Sequence, residues 1–269
     1  MGGAEARSFR ATVEYDGTAY FGFQRQRRGP NRVGVSIQEE LEEALGRLAG
    51  HPIRVTGAGR TDTGVHALGQ VIGFTIEWPQ RRGDAALLRA LNASLPPDIA
   101  VRTLAEALPG FHPRFDARRR TYEYRVLNAP VRRPLLRWRA WHVAAALDEA
   151  QMNVAAAGLV GMRDFATFGR PPVGDNTTRT IYSAAWRRES DLLIFRVVAN
   201  AFLHRMVRSL VGSLRKVGDG SWSVDDFAVA LAACDRKRSA SAAPAHGLYL
   251  VSVEYDTSDE LRVTRYSDE

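Results

Sequence analysis

Residues 36–76 run SIQEELEEALGRLAGHPIRVTGAGRTDTGVHALGQVIGFTI, and three different patterns follow one another inside them. Ile37, Leu41, Leu45 and Leu48 recur at helical spacing. Ser36 with Glu39 three residues on has the spacing of a capping box, and Gly50 and Pro52 stop the helix. Ile53 to Thr56 is a short extended run. The glycine-rich segment Gly57 to His66 follows, and a second strand runs from about Gln70 to Ile76. Working outward, Phe9, Ala11, Val13 and Tyr15 alternate as a strand that Asp16-Gly17 ends. On the other side Asp84 is expected to cap a helix carrying Leu87, Leu88, Leu91 and Leu95. Pro96-Pro97 ends that helix, and a strand runs from about Ile99 to Leu104. Strand, helix, strand, strand, helix, strand is the order of a split β-α-β unit of ferredoxin-like type.

The second half repeats the style more loosely. Tyr122, Tyr124 and Val126 alternate as a strand, and a helix is expected from about Leu147 to Leu159. Strands are expected over Ile181 to Arg187 and Leu193 to Val198. Leu203, Val207, Leu210, Leu214 and Val217 then keep helical register up to Gly218, with Arg205 and Arg208 one turn apart on that helix. Ser223 starts a further helix, and Gly247 to Tyr255 closes the chain as a strand. The expectation is an α+β fold of two ferredoxin-like halves whose antiparallel or mixed sheets join. The turn-rich stretch Pro109 to Arg120 divides an N-terminal domain, 1–110, from a C-terminal one, 111–269.

At 269 residues, 45% hydrophobic and 25% charged, the chain has the composition of an ordinary globular protein rather than a disordered one. Its apolar runs are short and broken by charge, so no membrane span is expected, and Met1 to Arg10 lacks the apolar stretch of a secretory signal. The one cysteine, Cys234, rules out an internal disulfide or a cysteine-built zinc site. It is read as a small buried residue in an alanine-rich helix. The six histidines show no metal-binding spacing. A reducing, cytoplasmic setting fits.

The net charge is +7, and nearly all of the cation is arginine. Arg25, Arg27, Arg28 and Arg32 form one group. Arg114, Arg118, Arg119, Arg120 and Arg125 form a second; Arg132, Arg133, Arg137 and Arg139 a third; Arg236, Lys237 and Arg238 a fourth. Any one group could be a solvated loop. Four together favour a polyanion, because each cation that meets a phosphate releases a condensed counterion.

Chemistry points first to Gly57 to His66, where three glycines surround Arg60-Thr61-Asp62. Glycine lets a backbone turn sharply or approach a ligand closely. A phosphate loop would need Gly-Lys-Ser/Thr at its end, and a dinucleotide fingerprint would need glycine where Asp62 stands; neither is present. A loop aspartate is more often a turn former, and spacing alone leaves both roles for Asp62 open. Tyr122 and Tyr124 share a strand face, a pattern that usually means packing, although an aromatic beside Arg118, Arg119 and Arg120 could stack on a base. His66, His112, His204 and His246 could each be a base or a packed residue. Asp16 reads as a turn residue.

Five blocks in order resemble the tRNA pseudouridine synthase A family over nearly the whole chain. They are Tyr15 to Gln24, Gly59 to Ala67, Phe111 to Ala117 with Arg120 to Tyr124, Asn200 to Arg208, and Ala243 to Leu250. The resemblance implies that Asp62 is the catalytic carboxylate, Tyr122 the active-site tyrosine, and Arg208 the arginine that pairs with the aspartate. Family members commonly carry alanine where Thr63 stands, which adds a hydroxyl here without removing the essential group. Arg60 would meet the RNA backbone or hold the flipped nucleotide. Val65 and Leu248 would pack around the base, and His66 belongs to the same substrate-binding set. The implied reaction is isomerisation of uridine to pseudouridine at positions 38, 39 and 40 of the tRNA anticodon arm, in a cleft between the two halves. The implied enzyme is a homodimer needing no metal, redox cofactor or ATP. Three rival readings stand beside this one: a non-catalytic RNA-binding protein, a metabolic enzyme using the glycine loop for a nucleotide, and a synthase with a shifted target.

Overall fold

Alternation along Ala6–Tyr15 (β1) buries Phe9, Ala11, Val13 and Tyr15 while the residues between them stay partly exposed, as in a strand with one wet face. In the computed structural model, which describes residues 6–25, 34–256 and 264–265, the chain forms two compact units. One is Met1–Arg118 with Leu250–Glu269, the other Arg119–Tyr249.

The first unit carries α1 (Ile37–Ala49), β2 (Thr56–Gly57), β3 (His66–Glu77), α2 (Gly83–Ser94) and β4 (Ile99–Glu106) after β1. β1 pairs antiparallel with both β3 and β4, and β2 pairs antiparallel with β3. The resulting order β4-β1-β3-β2 is the split β-α-β arrangement expected from the sequence. Phe9 faces Phe74 across β1 and β3 with ring centroids 5.7 Å apart. Ile37, Leu41, Ala44 and Leu45 of α1, and Leu87, Leu88 and Leu91 of α2, supply the helical side of the core. Ser36 and Glu39 make the expected capping box, and Gly50 ends α1 in the left-handed conformation, which glycine adopts without strain. The short strand sits at Thr56–Gly57 rather than Ile53 to Thr56. Asp84 lies inside the first turn of α2, not at its cap, which is Arg82. The chain returns to this unit through β10 (Leu248–Glu254), where a side chain on Gly69 of β3 would meet the Val251 carbonyl at 2.3 Å. β11 (Thr264–Arg265) pairs with β4.

The second unit holds β5 (Arg119–Leu127), β6 (Trp141–His142), α3 (Glu149–Ala157), β7 (Gly161–Asp164), β8 (Thr178–Glu189), β9 (Leu192–Ala199), α4 (Met206–Gly218) and α5 (Val224–Ala232). β7, β8 and β9 form an antiparallel meander, β9 also pairs antiparallel with β5, and β6 adds to β5 in parallel. This half is α+β in its own, looser order. Ser223 and Asp226 make a second capping box on α5. α4 begins at Met206, not Leu203, because Arg205 takes a left-handed cap conformation (φ 62°); Arg205 and Arg208 therefore do not share the helix. Cys234 also departs from expectation. α5 ends at Ala232, and Cys234 is exposed beyond it with φ 49°. Its thiol is nonetheless pushed up, first by partial burial and then by Asp164. Among the described residues no helix is long and apolar enough to cross a membrane.

Candidate active site

In the first unit, β2 ends as the glycine-rich loop begins. Ala58 N–H donates to Val71 O at 2.8 Å, and the amide of Gln70, a fully buried residue of β3, donates to Gly59 O at 2.8 Å. Val65 N–H donates to Asp62 O at 3.1 Å and closes a tight turn, with Gly64 at φ 78°. Beneath the turn lies segment 15–23. Phe23 N–H donates to Thr61 O at 3.1 Å, and the Tyr15 and Thr61 hydroxyls meet at 2.8 Å. Two glycines permit this approach: a Cβ on Gly17 would sit 1.9 Å from Val65 O, and one on Gly22 (φ +80°) would sit 2.4 Å from Thr61 O. The loop is therefore gripped mainly through its backbone, with the Thr61 hydroxyl adding one buried side-chain contact.

The consequence shows in exposure. Thr61, Val65 and His66 are buried, Asp62 is partly exposed, and Arg60 and Thr63 are exposed. Asp62 thus sits, partly exposed, on a support that cannot shift without breaking several backbone contacts. His66 Nδ1 lies 3.1 Å from Gly17 N and 3.0 Å from Asp16 Oδ1. One ring nitrogen cannot both accept from Gly17 and donate to Asp16. Asp16 Oδ1 already accepts from Thr18 N and Oγ1, so the lone pair toward Gly17 is the consistent choice, with the ring proton on Nε2. His66 then pins the segment on which the Asp62 turn rests. Val65 is also in this support, at 1% exposure.

In the second unit the other expected residues ride on regular elements. Tyr122 and Tyr124 of β5 stand opposite Val197 and Phe195 of β9, and both are buried. The Tyr122 ring meets Phe202 edge-on at 5.0 Å. Tyr124 donates its hydroxyl to Pro244 O at 2.8 Å, and burial raises its phenol well above the ordinary range. Arg208, in the first turn of α4, donates Nε–H to Ala243 O at 2.7 Å, and Ala243 N–H donates back to Arg208 O at 2.9 Å. Segment 243–248 thus wraps Arg208 and Tyr124, and it comes so close that a Cβ on Gly247 would be 2.6 Å from the Tyr124 ring. His246 packs edge-on to Trp138 at 5.9 Å. Burial lowers its imidazole, with the Arg208 charge adding in the same direction and a backbone contact at Ala140 opposing. Leu248, at 7% exposure, opens β10.

Helical or strand period gave no sign of the reciprocal Arg208–Ala243 contacts or of the Tyr124–Pro244 bond. Only the order of the sequence blocks hinted that residues 243–250 matter. The arginine groups are also less uniform than their sequence suggests. Arg118 pairs with Asp256 at 2.7 Å, and Arg133 pairs with Asp191. Arg125 stacks 4.0 Å from the Tyr249 ring, and Arg120 donates to Asn200 O at 2.6 Å. Arg27, Arg28 and Arg32 lie outside the described residues.

The first unit holds the braced aspartate turn and the second holds the tyrosine and the arginine, and the sequence that carries them matches a known family. The family model described as tRNA pseudouridine synthase matches residues 11–116 and 155–256, which include Asp62, Arg208 and Leu248; Tyr122 falls between the two stretches. The chain belongs to this family of isomerases. A relative from Rhodospirillum rubrum named tRNA pseudouridine synthase A is 44% identical over 249 residues, covering 92% of this chain and 87% of its own. Proteins of the same name from Aeromonas hydrophila (43% identical, 90% of this chain and 88% of the relative) and Beijerinckia indica (42%, 94% and 95%) are similar throughout. A solved structure, a Cbf5-Nop10-Gar1 complex, gives a TM-score of 0.31 at 14% identity, covering 77% of this chain and 54% of that one; at that distance it bears no weight.

Proposed function

We propose that this enzyme converts uridine to pseudouridine at positions 38, 39 and 40 of the tRNA anticodon stem-loop, with Asp62 as the catalytic carboxylate. One observation supports this most: Asp62 is partly exposed on a turn held by backbone hydrogen bonds and by the close approach of Gly17 and Gly22. A turn-forming aspartate would need no such support.

The chemistry is an isomerisation. The N1–C1′ bond breaks, the uracil turns, and C5 bonds to C1′. C5 gives up its proton and N1 ends protonated, so no electrons are gained or lost. Asp62 serves as nucleophile at C1′ or as general base on the sugar. Arg208, by resemblance to the family, keeps that carboxylate ionised and aimed, since a cation nearby stabilises the charged form. Tyr122 stacks on the uracil, and Val65 and Leu248 contribute apolar packing. Arg60, exposed next to the turn, grips the phosphate backbone or the flipped nucleotide, and His66 keeps the substrate-binding turn in place. A stacked base cannot rotate in the helix, so the uridine is extruded at a cost of a few kcal/mol, which backbone contacts from arginines offset. In this reading the enzyme is a cytoplasmic homodimer that uses no cofactor.

The test is tritium release from anticodon-arm tRNA carrying uridine labelled at C5. Wild type is expected to release tritium and Asp62→Ala to release none, with unchanged thermal melting. Failure of wild type to release label would leave an RNA-binding protein in place of an enzyme.

A further inference from the structure

Three arginines far apart in sequence, Arg170, Arg205 and Arg236, come together in the second unit. Arg236 opens the short turn Arg236–Arg238. Its Nη1 donates to Thr167 O at 2.9 Å and reaches Ser209 Oγ at 3.4 Å. Thr167 is fully buried; its hydroxyl donates to Ala230 O at 2.8 Å and accepts from Asp235 N at 3.1 Å. The base of the cluster is therefore fixed. Arg170 lies three residues past Thr167, and its carbonyl accepts from His204 N–H at 2.9 Å. That bridge brings Arg170 beside Arg205. Gly169 makes the approach possible, because a Cβ there would be 2.3 Å from Leu203 Cβ.

Like charges repel, so this convergence needs a reason. Arg170 and Arg205 are exposed and Arg236 is half-buried. Among the described residues, none of the three forms an ion pair, whereas Arg187, Arg188, Arg196 and Arg215 of the same unit all do. Burial and the charges of Arg170 and Arg205 together pull the Arg236 guanidinium down, although a guanidinium stays charged in proteins. Arg205 is further held in the left-handed conformation (φ 62°), which a non-glycine residue adopts only when its surroundings impose it. A cluster of guanidiniums without ion-pair partners, one of them anchored through Thr167 and Ser209, offers the charge and fork donors that recognise phosphate oxygens.

We propose that Arg170, Arg205 and Arg236 form a phosphate subsite that grips the backbone of the substrate RNA and contributes to binding rather than to the chemical step. This rests on the tRNA reading above. Arg236 belongs to a charged run visible in the sequence, but Arg170 and Arg205 belong to none of the four arginine groups, so the subsite exists only in the fold.

The experiment measures binding of unmodified tRNA against salt concentration, together with steady-state tritium release. The double variant Arg170→Gln/Arg205→Gln removes no hydrogen bond that holds the fold. It is expected to flatten the slope of log K against log salt by about 2, roughly 1 per phosphate contact. KM should rise about 10-fold, with kcat within about 2-fold of wild type. Arg170→Lys/Arg205→Lys should retain the slope, which a merely structural role would not predict. Arg236→Gln, checked by thermal melting because it anchors Thr167, should flatten the slope by about 1 more. A double variant with wild-type slope and KM would overturn the subsite while leaving the enzyme reading intact. A wild type that neither binds nor modifies tRNA would overturn both.

Discussion

The Asp62 turn and the β5–α4 pair achieve the same end, a side chain held in one orientation, by opposite means. The turn has no repeating structure of its own. Its shape comes from Gly17 and Gly22 letting segment 15–23 press against it, from Gln70 reaching up from β3, and from His66 below. Tyr122 and Tyr124 inherit their direction from strand alternation, and Arg208 takes its direction from the first turn of a helix that buries most of its circumference. Regular elements orient side chains cheaply but in a fixed repertoire of directions. An irregular turn can present a carboxylate in almost any direction, at the expense of many specific backbone contacts.

The largest effect should come from the side chain that all this bracing serves. Asp62→Ala is expected to reduce turnover by at least about 100- to 10,000-fold, the range for a positioned acid–base group, without a change in melting temperature. A variant that loses activity only by unfolding would break the contrast, since the turn would then depend on its aspartate.

Next is the bracing itself. Gly22→Ala combines φ +80° with a Cβ 2.4 Å from Thr61 O. Left-handed backbone costs a non-glycine residue about 1–3 kcal/mol, and relief of the clash must move the turn. Gly50→Ala has a similar φ, +76°, but nothing within 4 Å. Chemical denaturation should show both variants destabilised, and tritium release should fall beyond the stability loss in Gly22→Ala alone. Equal activity in the two would mean that the turn tolerates displacement.

A smaller effect tests a regular element. Ser36→Ala removes the hydroxyl half of the α1 capping box and should lower stability by about 1 kcal/mol while kcat stays at the wild-type value. Smallest of all, Thr63→Ala removes an exposed hydroxyl beside the carboxylate and should change kcat/KM by less than about 2-fold. A larger change would make Thr63 part of the site.

Much of this protein was legible before any coordinates. The apolar positions of α1 and β1, the capping box at Ser36, the helix start at Ser223 and the split β-α-β order of the first half all follow from local sequence patterns. Asp62 was singled out by the glycines around it and by family resemblance, but spacing alone did not separate a catalyst from a turn former. The failures share a cause. Arg205 leaving the helix, Asp84 missing the cap and Cys234 facing solvent are each set at an element's end, where a single backbone dihedral outweighs propensity.

Periodicity determined which segments are strands and helices and which of their faces are buried, because the hydrophobic effect acts on every turn and every second residue alike. Tertiary structure alone decided that Gly17 and Gly22 support the turn at Asp62, that Ala243 holds Arg208, and that Arg170, Arg205 and Arg236 meet. Those contacts join residues tens of positions apart, and they depend on where the sheets bring loops together rather than on any repeat in the chain.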